Sequence, residues 1–230
     1  LNAFVLRHGH HWPRGKTRWT SVHYNWLESI QFDQPYLQIV LQEYIGAAKA
    51  ATQRVADLTD QLMRALPGWS LAPVVDSLVA LRGIDKLAAT VLLAELGDIS
   101  RFASPKQLMA YLGLVPSEHS TGSRRRQGAI TLTGNGHARR MLVESAWSYR
   151  FSARQTMHLK RKAKTASPEA KAIAWRAQKR LCGRYRQLMQ AGKNVKLVCV
   201  AIARELVGFI WDIVRHEMPR LACQRAVVAG

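Results

Sequence analysis

Residues 37–65 read LQIVLQEYIGAAKAATQRVADLTDQLMRA, and the apolar positions of this stretch follow one another at alternating steps of four and three residues. They are Leu37, Leu41, Tyr44, Ala48, Ala51, Val55, Leu58, Leu62 and Ala65. A repeat of about 3.5 residues keeps one stripe of a helix turned toward a partner, so this pattern predicts a coiled coil. A long helix that packs on its own domain is the alternative. Pro67 and Gly68 should end the helix, since proline cannot continue it and glycine accepts a left-handed exit.

Further helices are predicted downstream from their start signals. Ser104-Pro105 and Ser167-Pro168 each combine an N-cap with proline in the first turn, and Asn135-Gly136 begins another helix. Residues 195–214 are apolar on nearly all sides, so this last helix should be buried. Because no alternating strand pattern of convincing length occurs, the chain is predicted to be all-α.

The composition divides the chain into four segments. Residues 1–34 form a basic lead-in rich in Trp and His, 35–66 the coiled coil, 73–150 a helical domain with a helix-hairpin-helix-like turn, and 151–230 a basic helical region. The chain opens with Leu1, without an initiator Met and without a secretory signal, and we interpret it as a fragment.

The net charge is strongly positive and unevenly distributed. The chain carries 34 Lys and Arg against 15 Asp and Glu, a formal charge of +19. Residues 151–230 hold seventeen basic and four acidic residues, whereas residues 31–100 hold five and eight. An acidic protein or an anionic membrane could face such a region, but an excess of this size is most typical of proteins that bind DNA or RNA. Nucleic acid is therefore the predicted partner of the C-terminal region.

Two protein classes are excluded by the sequence. The apolar run between Lys196 and Arg204 is far shorter than the about 20 apolar residues of a membrane span, so no membrane partner is expected. Three cysteines without a CxxC pair make no disulfide framework and fit a reducing cytosol. A cytoplasmic location is therefore expected.

The first 30 residues combine three tryptophans with several histidines. Zinc binding by His8, His10, His11 and His23 is one interpretation, although no cysteine and no known ligand spacing supports it. The other is a basic, aromatic loop that contacts a nucleic-acid backbone or stacks on bases.

Residues 81–89 read LRGIDKLAA and resemble the turn of helix-hairpin-helix proteins, in which backbone N–H groups meet a phosphate. On that interpretation Arg82, Gly83 and Lys86 contact nucleic acid. A second glycine usually stands where this chain has Asp85, and a carboxylate there would repel phosphate while it caps the next helix. A purely structural hairpin is therefore the alternative.

Residues 113–128 form a polar loop with three glycines and three consecutive arginines, Arg124, Arg125 and Arg126. With the helix start at Asn135, this loop is predicted to form an anion site, and Arg139 and Arg140 should point away from the buried face of that helix. Other basic residues are predicted to contact nucleic acid from a solvated run and from the following helix. They are Lys160, Arg161, Lys162, Arg176, Lys179, Arg180 and Arg184.

Several short motifs occur together and in order between residues 81 and 140. They are Leu81-Arg82-Gly83-Ile84, Leu96-Gly97-Asp98, Arg101-Phe102, Leu112-Gly113-Leu114-Val115-Pro116, His119-Ser120-Thr121-Gly122, Ile130-Thr131, Gly134-Asn135 and Arg139-Arg140. This combination resembles the C-terminal domain of one family of insertion-sequence transposases, the RuvC-like DEDD type, class one-hundred-and-ten in insertion-sequence nomenclature. The family also includes Piv-type DNA invertases, and its members are guided by an element-encoded bridge RNA.

The resemblance implies that this domain supplies a serine nucleophile, which attacks a phosphodiester and holds the DNA as a phosphoserine. Ser120 is the best match to that residue, and Thr121 and Ser123 are its rivals. The three arginines at 124–126 would stabilise the charged transition state, and His119 could act as a local base.

The resemblance also implies four carboxylates, in an N-terminal RuvC-like domain, that hold divalent metal ions such as Mg²⁺. Glu28 is the only acidic residue among residues 1–30, so we expect that domain to be missing here, this chain to bind no cofactor, and the chain to be inactive alone. DNA, a guide RNA and further copies of the chain, through the coiled coil, are the expected partners. The implied location is the bacterial cytoplasm, at the nucleoid when bound. A non-catalytic helix-hairpin-helix module that clamps nucleic acid is the alternative function.

Overall fold

The computed structural model describes residues 1–118 and 127–229, with side chains up to Leu221. The described chain is mostly helical, with one small two-stranded sheet, which confirms the predicted all-α class. Its elements are α1 (Asn2–Arg7), α2 (Ser21–Glu28), α3 (Pro35–Ala65), α4 (Ala72–Leu78), α5 (Lys86–Leu96), α6 (Pro105–Tyr111), β1 (Pro116–Glu118), β2 (Gln127–Ile130), α7 (Gly136–Ala146), α8 (Met157–Lys162), α9 (Pro168–Gln190) and α10 (Val195–Ala229). Short 3-10 helices lie at Leu66–Gly68, Ile99–Arg101 and Trp147–Arg150.

The chain forms two compact units, Leu1–Arg64 and Ala65–Gly230. In the first unit, Leu41 and Ile45 of α3 are buried in one apolar cluster with Val5, Leu27 and Ile30. The two α3 residues are four apart, so they lie on the same face of the helix. The N-terminal half of α3 therefore packs on its own unit.

The C-terminal half of α3 differs. The seam residues Val55, Leu58 and Leu62 are exposed by 64%, 49% and 41%. The predicted long helix is confirmed, and the described part of this unit leaves the later heptads without apolar cover. The coiled coil itself stays a prediction.

The end of α3 corrects one expectation. A 3-10 turn at Leu66–Gly68 follows the helix, and the N–H of Trp69 donates to the Leu66 carbonyl at 2.9 Å. Gly68 does not have a positive φ, so the predicted left-handed exit is wrong. Pro67 suffices to end the helix because it lacks the N–H that would continue the hydrogen-bond ladder.

In the second unit, α10 packs against α4, α6, α7 and α9. Ile202, Leu206, Ile210 and Ile213 of α10 are buried, which confirms the predicted burial of this helix. The indole Nε1 of Trp211 donates to the Phe102 carbonyl at 2.8 Å and ties α10 to the 3-10 turn before α6. Across residues 1–118 and 127–229, no helix is both long and apolar enough to cross a membrane.

The small β-hairpin was not predicted. Pro116 pairs with Ile130, and Glu118 pairs with Gln127. The two strands have three and four residues, and most of their side chains are at least partly exposed. Strands this short show no alternation of apolar and polar residues, so periodicity could not reveal them.

Candidate nucleic-acid interface

The β-hairpin forms the base of the loop that carries the predicted nucleophile. Below the strands, the N–H of Thr131 donates to the Val115 carbonyl (2.9 Å) and the N–H of Leu132 donates to the Gly113 carbonyl (3.2 Å). The two ends of the loop are therefore held together by backbone pairing. The residues predicted from the loop itself lie outside the described residues: His119, Ser120, Thr121, Ser123, Arg124, Arg125 and Arg126.

Two glycines allow the segments beneath this hairpin to cross in direct backbone contact. A Cβ built on Gly134 would lie 1.8 Å from the carbonyl oxygen of Tyr111, and one built on Gly113 would lie 2.3 Å from that of Thr133. Their φ values, +70° and +63°, are also in the region that favours glycine. The Gly-Leu-Val-Pro and Gly-Asn motifs are therefore two halves of one structure.

Arg139 holds this crossing together, which corrects the expectation that it points away. Its Nη1 donates to the carbonyl oxygens of Leu112 (2.9 Å) and Thr133 (2.8 Å). A guanidinium bonded to two carbonyls on opposite sides of the crossing stabilises their approach. Arg140 is exposed as expected, and it pairs with Glu144 one turn later at 2.9 Å.

Asn135 begins α7 as predicted, because its Oδ1 accepts the N–H of Ala138 at 2.9 Å. Its Nδ2 donates to Glu95 Oε2, and the other oxygen of that carboxylate lies 3.0 Å from Nδ1 of His137. Hydrogen bonds from His137 and Asn135 lower the pKa of the Glu95 carboxyl. Glu95 therefore places negative charge where an anion site was predicted. The pairing of Glu95 with His137 leaves no signal in the sequence, since no local motif joins residues of α5 and α7.

The glycine turn between α4 and α5 packs tightly against the end of α7. Gly83 has φ +83°, and a Cβ on it would lie 2.4 Å from the Ser145 carbonyl oxygen. Asp85 caps α5 through its Oδ1, which accepts the N–H of Ala88 at 2.7 Å. The close packing at Gly83 and the cap supplied by Asp85 both favour a structural role for this hairpin over phosphate binding.

The cations around this turn are bound within the chain. Nη1 of Arg82 donates to the Ser152 carbonyl at 2.9 Å, and Lys86 pairs with Asp76 at 3.3 Å. The side chain of Arg82 is half-buried.

Lys162 occupies the carbonyl side of the same turn. Its Nζ donates to the carbonyl oxygens of Leu81 (3.0 Å) and Ile84. Burial lowers the pKa of this lysine to about 8, and the nearby Asp85 opposes the shift. The expectation that Lys162 belongs to a solvated run is therefore wrong, because its ammonium completes the hydrogen bonding of the turn.

The arginines of α9 are mostly paired with α10. Arg176 contacts Asp212 at 3.1 Å, and Arg180 and Arg184 contact Glu205 at 2.7 and 3.6 Å. Lys179 lies over the ring of Trp175, 5.8 Å from its centroid. The three arginines predicted to meet nucleic acid thus also hold two helices together.

Among the described cations without an acidic partner, seven lie on or near α8 and α9. They are Arg150, Arg154, Lys160, Arg161, Lys164, Lys171 and Arg186. Two clefts flank α8. One, the hairpin cleft, lies between the glycine turn, the 3-10 helix Trp147–Arg150 and α8, with a volume of about 450 Å³. The other, the α9 cleft, has a volume of about 260 Å³ and is lined by Lys160, Lys171 and Trp175.

Three of the N-terminal histidines pack against aromatic rings, and the histidines are not brought together as a group of metal ligands. His8 and His10 pack edge-on against Phe32, with ring centroids 5.3 Å apart in each case. His23 is buried and stacks on Trp26 at 5.7 Å. In the described part of the chain, no three His, Cys, Asp or Glu side chains converge as metal ligands.

The interlocked loop base and the glycine hairpin lie within a stretch that matches a known family of transposases. A family model described as the transposase IS116/IS110/IS902 family matches residues 76–162, which run from α4 to the end of α8. Residues 76–162 therefore belong to the IS116/IS110/IS902 transposase family, and the resemblance drawn from the motifs is confirmed.

Individual relatives agree with this assignment. A protein named transposase y4qE, from Sinorhizobium fredii, is 45% identical over 216 residues, which are 94% of this chain and 52% of that protein. The transposase for insertion sequence element IS1111A of Coxiella burnetii is 27% identical over 135 residues, 59% of this chain and 31% of its own length. The pilin gene-inverting protein of Moraxella bovis is 27% identical over 150 residues, 62% and 37% of the two chains. The chain thus spans about half the length of the first relative and less of the other two.

Proposed function

We propose that this chain is the C-terminal part of a DNA transposase or recombinase, and that it supplies a serine nucleophile for strand cleavage and exchange. Ser120 is the proposed nucleophile, with Thr121 and Ser123 as rivals. The proposal rests on the base of the loop that contains Ser120, where two chain segments cross in direct backbone contact. Gly113, Gly134 and Arg139 hold the two ends of the loop in one arrangement, and catalysis needs the reacting side chain to be positioned in this way.

In the proposed step, Oγ of Ser120 attacks the phosphorus of a DNA phosphodiester. The serine O–P bond forms, and the bond between phosphorus and the leaving sugar oxygen breaks. The serine proton passes to a base, for which His119 is the candidate, and the leaving oxygen takes up a proton. Arg124, Arg125 and Arg126 stabilise the additional negative charge of the pentavalent intermediate. The phosphoserine preserves a phosphoester, so a hydroxyl of another strand can reverse the step and join the DNA.

Divalent metal ions would supply charge stabilisation at the scissile phosphate. The residues described here do not fit a metal site, because no group of three His, Cys, Asp or Glu side chains converges within residues 1–118 and 127–229. We therefore place the Mg²⁺ in a RuvC-like domain outside this stretch, and this chain should not cleave DNA alone.

Binding of DNA, and of a guide RNA, rests on the cations around α8. Lys160, Arg161 and Lys164 are exposed and have no acidic partner in the described part of the chain. Electrostatic contacts of this kind bind phosphates without reading the sequence. The alternative of a simple helix-hairpin-helix clamp is disfavoured, since Arg82 and Lys162 bond to carbonyls within the chain.

Self-association is proposed through the C-terminal half of α3. Val55, Leu58 and Leu62 form an exposed apolar stripe with heptad spacing, which a second copy of the helix would cover.

A trapped covalent adduct tests the nucleophile. In the full-length protein that carries this stretch, a nicked DNA substrate should yield a protein–DNA adduct, and Ser120→Ala should abolish it while binding stays nearly unchanged. The substitution removes one oxygen and no positive charge. If the adduct persists in Ser120→Ala and disappears in Thr121→Ala or Ser123→Ala, a rival hydroxyl is the nucleophile. An adduct that survives all three changes would refute the serine mechanism.

A further inference from the structure

The hairpin cleft combines aromatic surface with uncompensated positive charge. Phe151 and Trp147 line it and are exposed by 54% and 36%. Arg150, whose guanidinium lies 4.4 Å from the centre of the Phe151 ring, has no acidic partner among the described residues. Sites that bind single strands combine a positively charged groove with aromatic side chains on which bases stack, and this cleft has both features.

From this arrangement we propose that the hairpin cleft binds an unpaired nucleotide of a nucleic-acid strand, with its base stacked on Phe151 and Trp147. This inference rests on the proposed nucleic-acid binding and assigns a place and a chemistry to part of it. The volume of about 450 Å³ falls in the range of about 300–1,000 Å³ that small-ligand sites occupy.

The charges in the cleft favour an anionic ligand. Arg82, Lys162 and Arg150 line it, together with one carboxylate, that of Asp85. Asp85 is bonded to the N–H of Ala88 as the cap of α5, and it is the single acidic residue of the lining. All three cations donate to backbone carbonyls, but the bond from Arg150 to the Trp147 carbonyl, at 3.4 Å, is the longest, so Arg150 is the cation most easily turned toward a phosphate.

An aromatic ring inside a cleft selects an unpaired base. In a duplex, neighbouring base pairs cover both faces of each base, so Phe151 could not reach one. A base stacked on the ring would displace the Arg150 guanidinium, whose exposed cation–π contact is the weaker of the two interactions. The freed guanidinium could then meet the phosphate of the same nucleotide.

The position of the cleft suits a strand that also reaches the nucleophile-bearing loop. Helix α7 has the base of that loop at its N-terminal end and Trp147 directly after its C-terminal end. Eleven helical residues span about 16 Å, a distance that a few nucleotides of an extended strand can cover.

The test compares two single strands of equal length and charge, one with bases throughout and one with abasic sites at its central positions. Fluorescence anisotropy with the 230-residue chain should show about tenfold tighter binding of the strand with bases, and Phe151→Ala should remove that preference. Phe151→Leu should do the same, because it keeps an apolar side chain of similar size without the stacking face. Tyr36→Ala, which removes an exposed ring of the first unit, is the control and should retain the preference.

Arg150→Gln should weaken binding of both strands alike, since it removes a phosphate contact and no ring. Each strand is tested both as DNA and as RNA. The nucleic acid that occupies the cleft is the one for which Phe151 is needed to prefer the strand with bases over the abasic strand. Equal binding of abasic and intact strands by the unaltered chain would overturn this inference while leaving the proposed nucleic-acid binding intact. A preference that survives both Phe151 variants would place the base elsewhere and overturn it as well. Failure of every strand to bind would overturn the proposed binding itself.

Discussion

The ammonium group of Lys162 lies 3.0 Å from the carbonyl oxygen of Leu81 and donates a hydrogen bond to it across 81 residues of sequence. A second bond, to the Ile84 carbonyl, places the same nitrogen inside the glycine turn. The lysine supplies a donor to the Ile84 carbonyl and a second donor to the Leu81 carbonyl, which also accepts the N–H of Ile84 at 3.3 Å. The last residue of α8 thus stabilises the turn between α4 and α5.

Lys162→Met should destabilise the second unit by about 1–3 kcal/mol, because it removes the lysine donor of the Ile84 carbonyl and one of the two donors of the Leu81 carbonyl. Urea unfolding followed by circular dichroism measures the change. Lys160→Met is the matched control, because Lys160 is an exposed residue of the same helix and its loss should change stability by less than about 0.5 kcal/mol. Equal effects of the two substitutions would show that the bonds to Leu81 and Ile84 contribute little.

Lys162 should also make stability depend on pH in the alkaline range. Burial lowers its pKa from 10.5 to about 8 in the folded chain, so between these values the unfolded chain binds more protons. The contribution of Lys162 to the free energy of unfolding should therefore rise as the pH increases from about 8 toward 10.5. Burial raises the pKa of the Cys182 and Cys199 thiols, and their linkage acts in the opposite direction. The quantity to measure is the difference in the free energy of unfolding between the unaltered chain and Lys162→Met at each pH. The contribution of the cysteines is the same in both chains and cancels in this difference. A difference that does not change with pH would contradict the prediction.

Gly134→Ala should cost several kcal/mol more than Gly192→Ala. Both glycines have φ near +70°, so each substitution carries a backbone strain of roughly 1–2 kcal/mol. Only at Gly134 would the new Cβ meet a backbone atom, 1.8 Å from the Tyr111 oxygen, whereas nothing lies within 4 Å at Gly192. The difference in thermal stability between the two variants measures the cost of disturbing the backbone crossing beneath the loop. Similar losses would mean that the crossing can relax without cost.

Replacing Val55 and Leu58 together by Asp should convert a dimer into a monomer without unfolding the chain. Both side chains are exposed in the single chain, so the charges are unfavourable only against a second copy. Sedimentation velocity measures the mass, and helicity by circular dichroism should be unchanged. Gln53→Asp, on the outer face of the same helix, is the control. A monomer before any change, or an unaltered dimer after it, would show that this stripe does not pair.

The salt dependence of nucleic-acid binding should distinguish free cations from paired ones. Lys160→Gln with Lys164→Gln should lower the slope of log affinity against log salt by about 1–2, because each phosphate contact releases about 0.9 counterions. Arg180→Gln with Arg184→Gln removes the same charge but should lower the slope less, since both arginines pair with Glu205. Titrations from about 50 to 200 mM salt provide the comparison. Equal slopes for the two variants would mean that the ion pairs open on binding.

The sequence by itself determined the helical class, the starts of several helices and the family of residues 76–162. Asp85, Ser104, Asn135 and Ser167 act as the N-caps that their residue types predict. These predictions succeeded because a cap depends on one side chain and an N–H group two or three residues later. Family membership required only the order of short motifs. The short strands β1 and β2 were missed because a few exposed residues contain no periodicity.

Only the tertiary structure decided which basic residues are available to a ligand. Arg139 bonds to a carbonyl 27 residues earlier, Arg180 to a carboxylate 25 residues later, and Lys162 to the turn between α4 and α5. In the sequence these residues look the same as Lys160 or Arg150. Their partners are set by the packing of helices that are distant along the chain, and a cation that is held by a buried carbonyl or a carboxylate must break that contact before it can meet a phosphate. The net charge of +19 can therefore be read from the composition. Which of the basic side chains stabilise the fold and which remain available to bind a ligand depends on the tertiary structure.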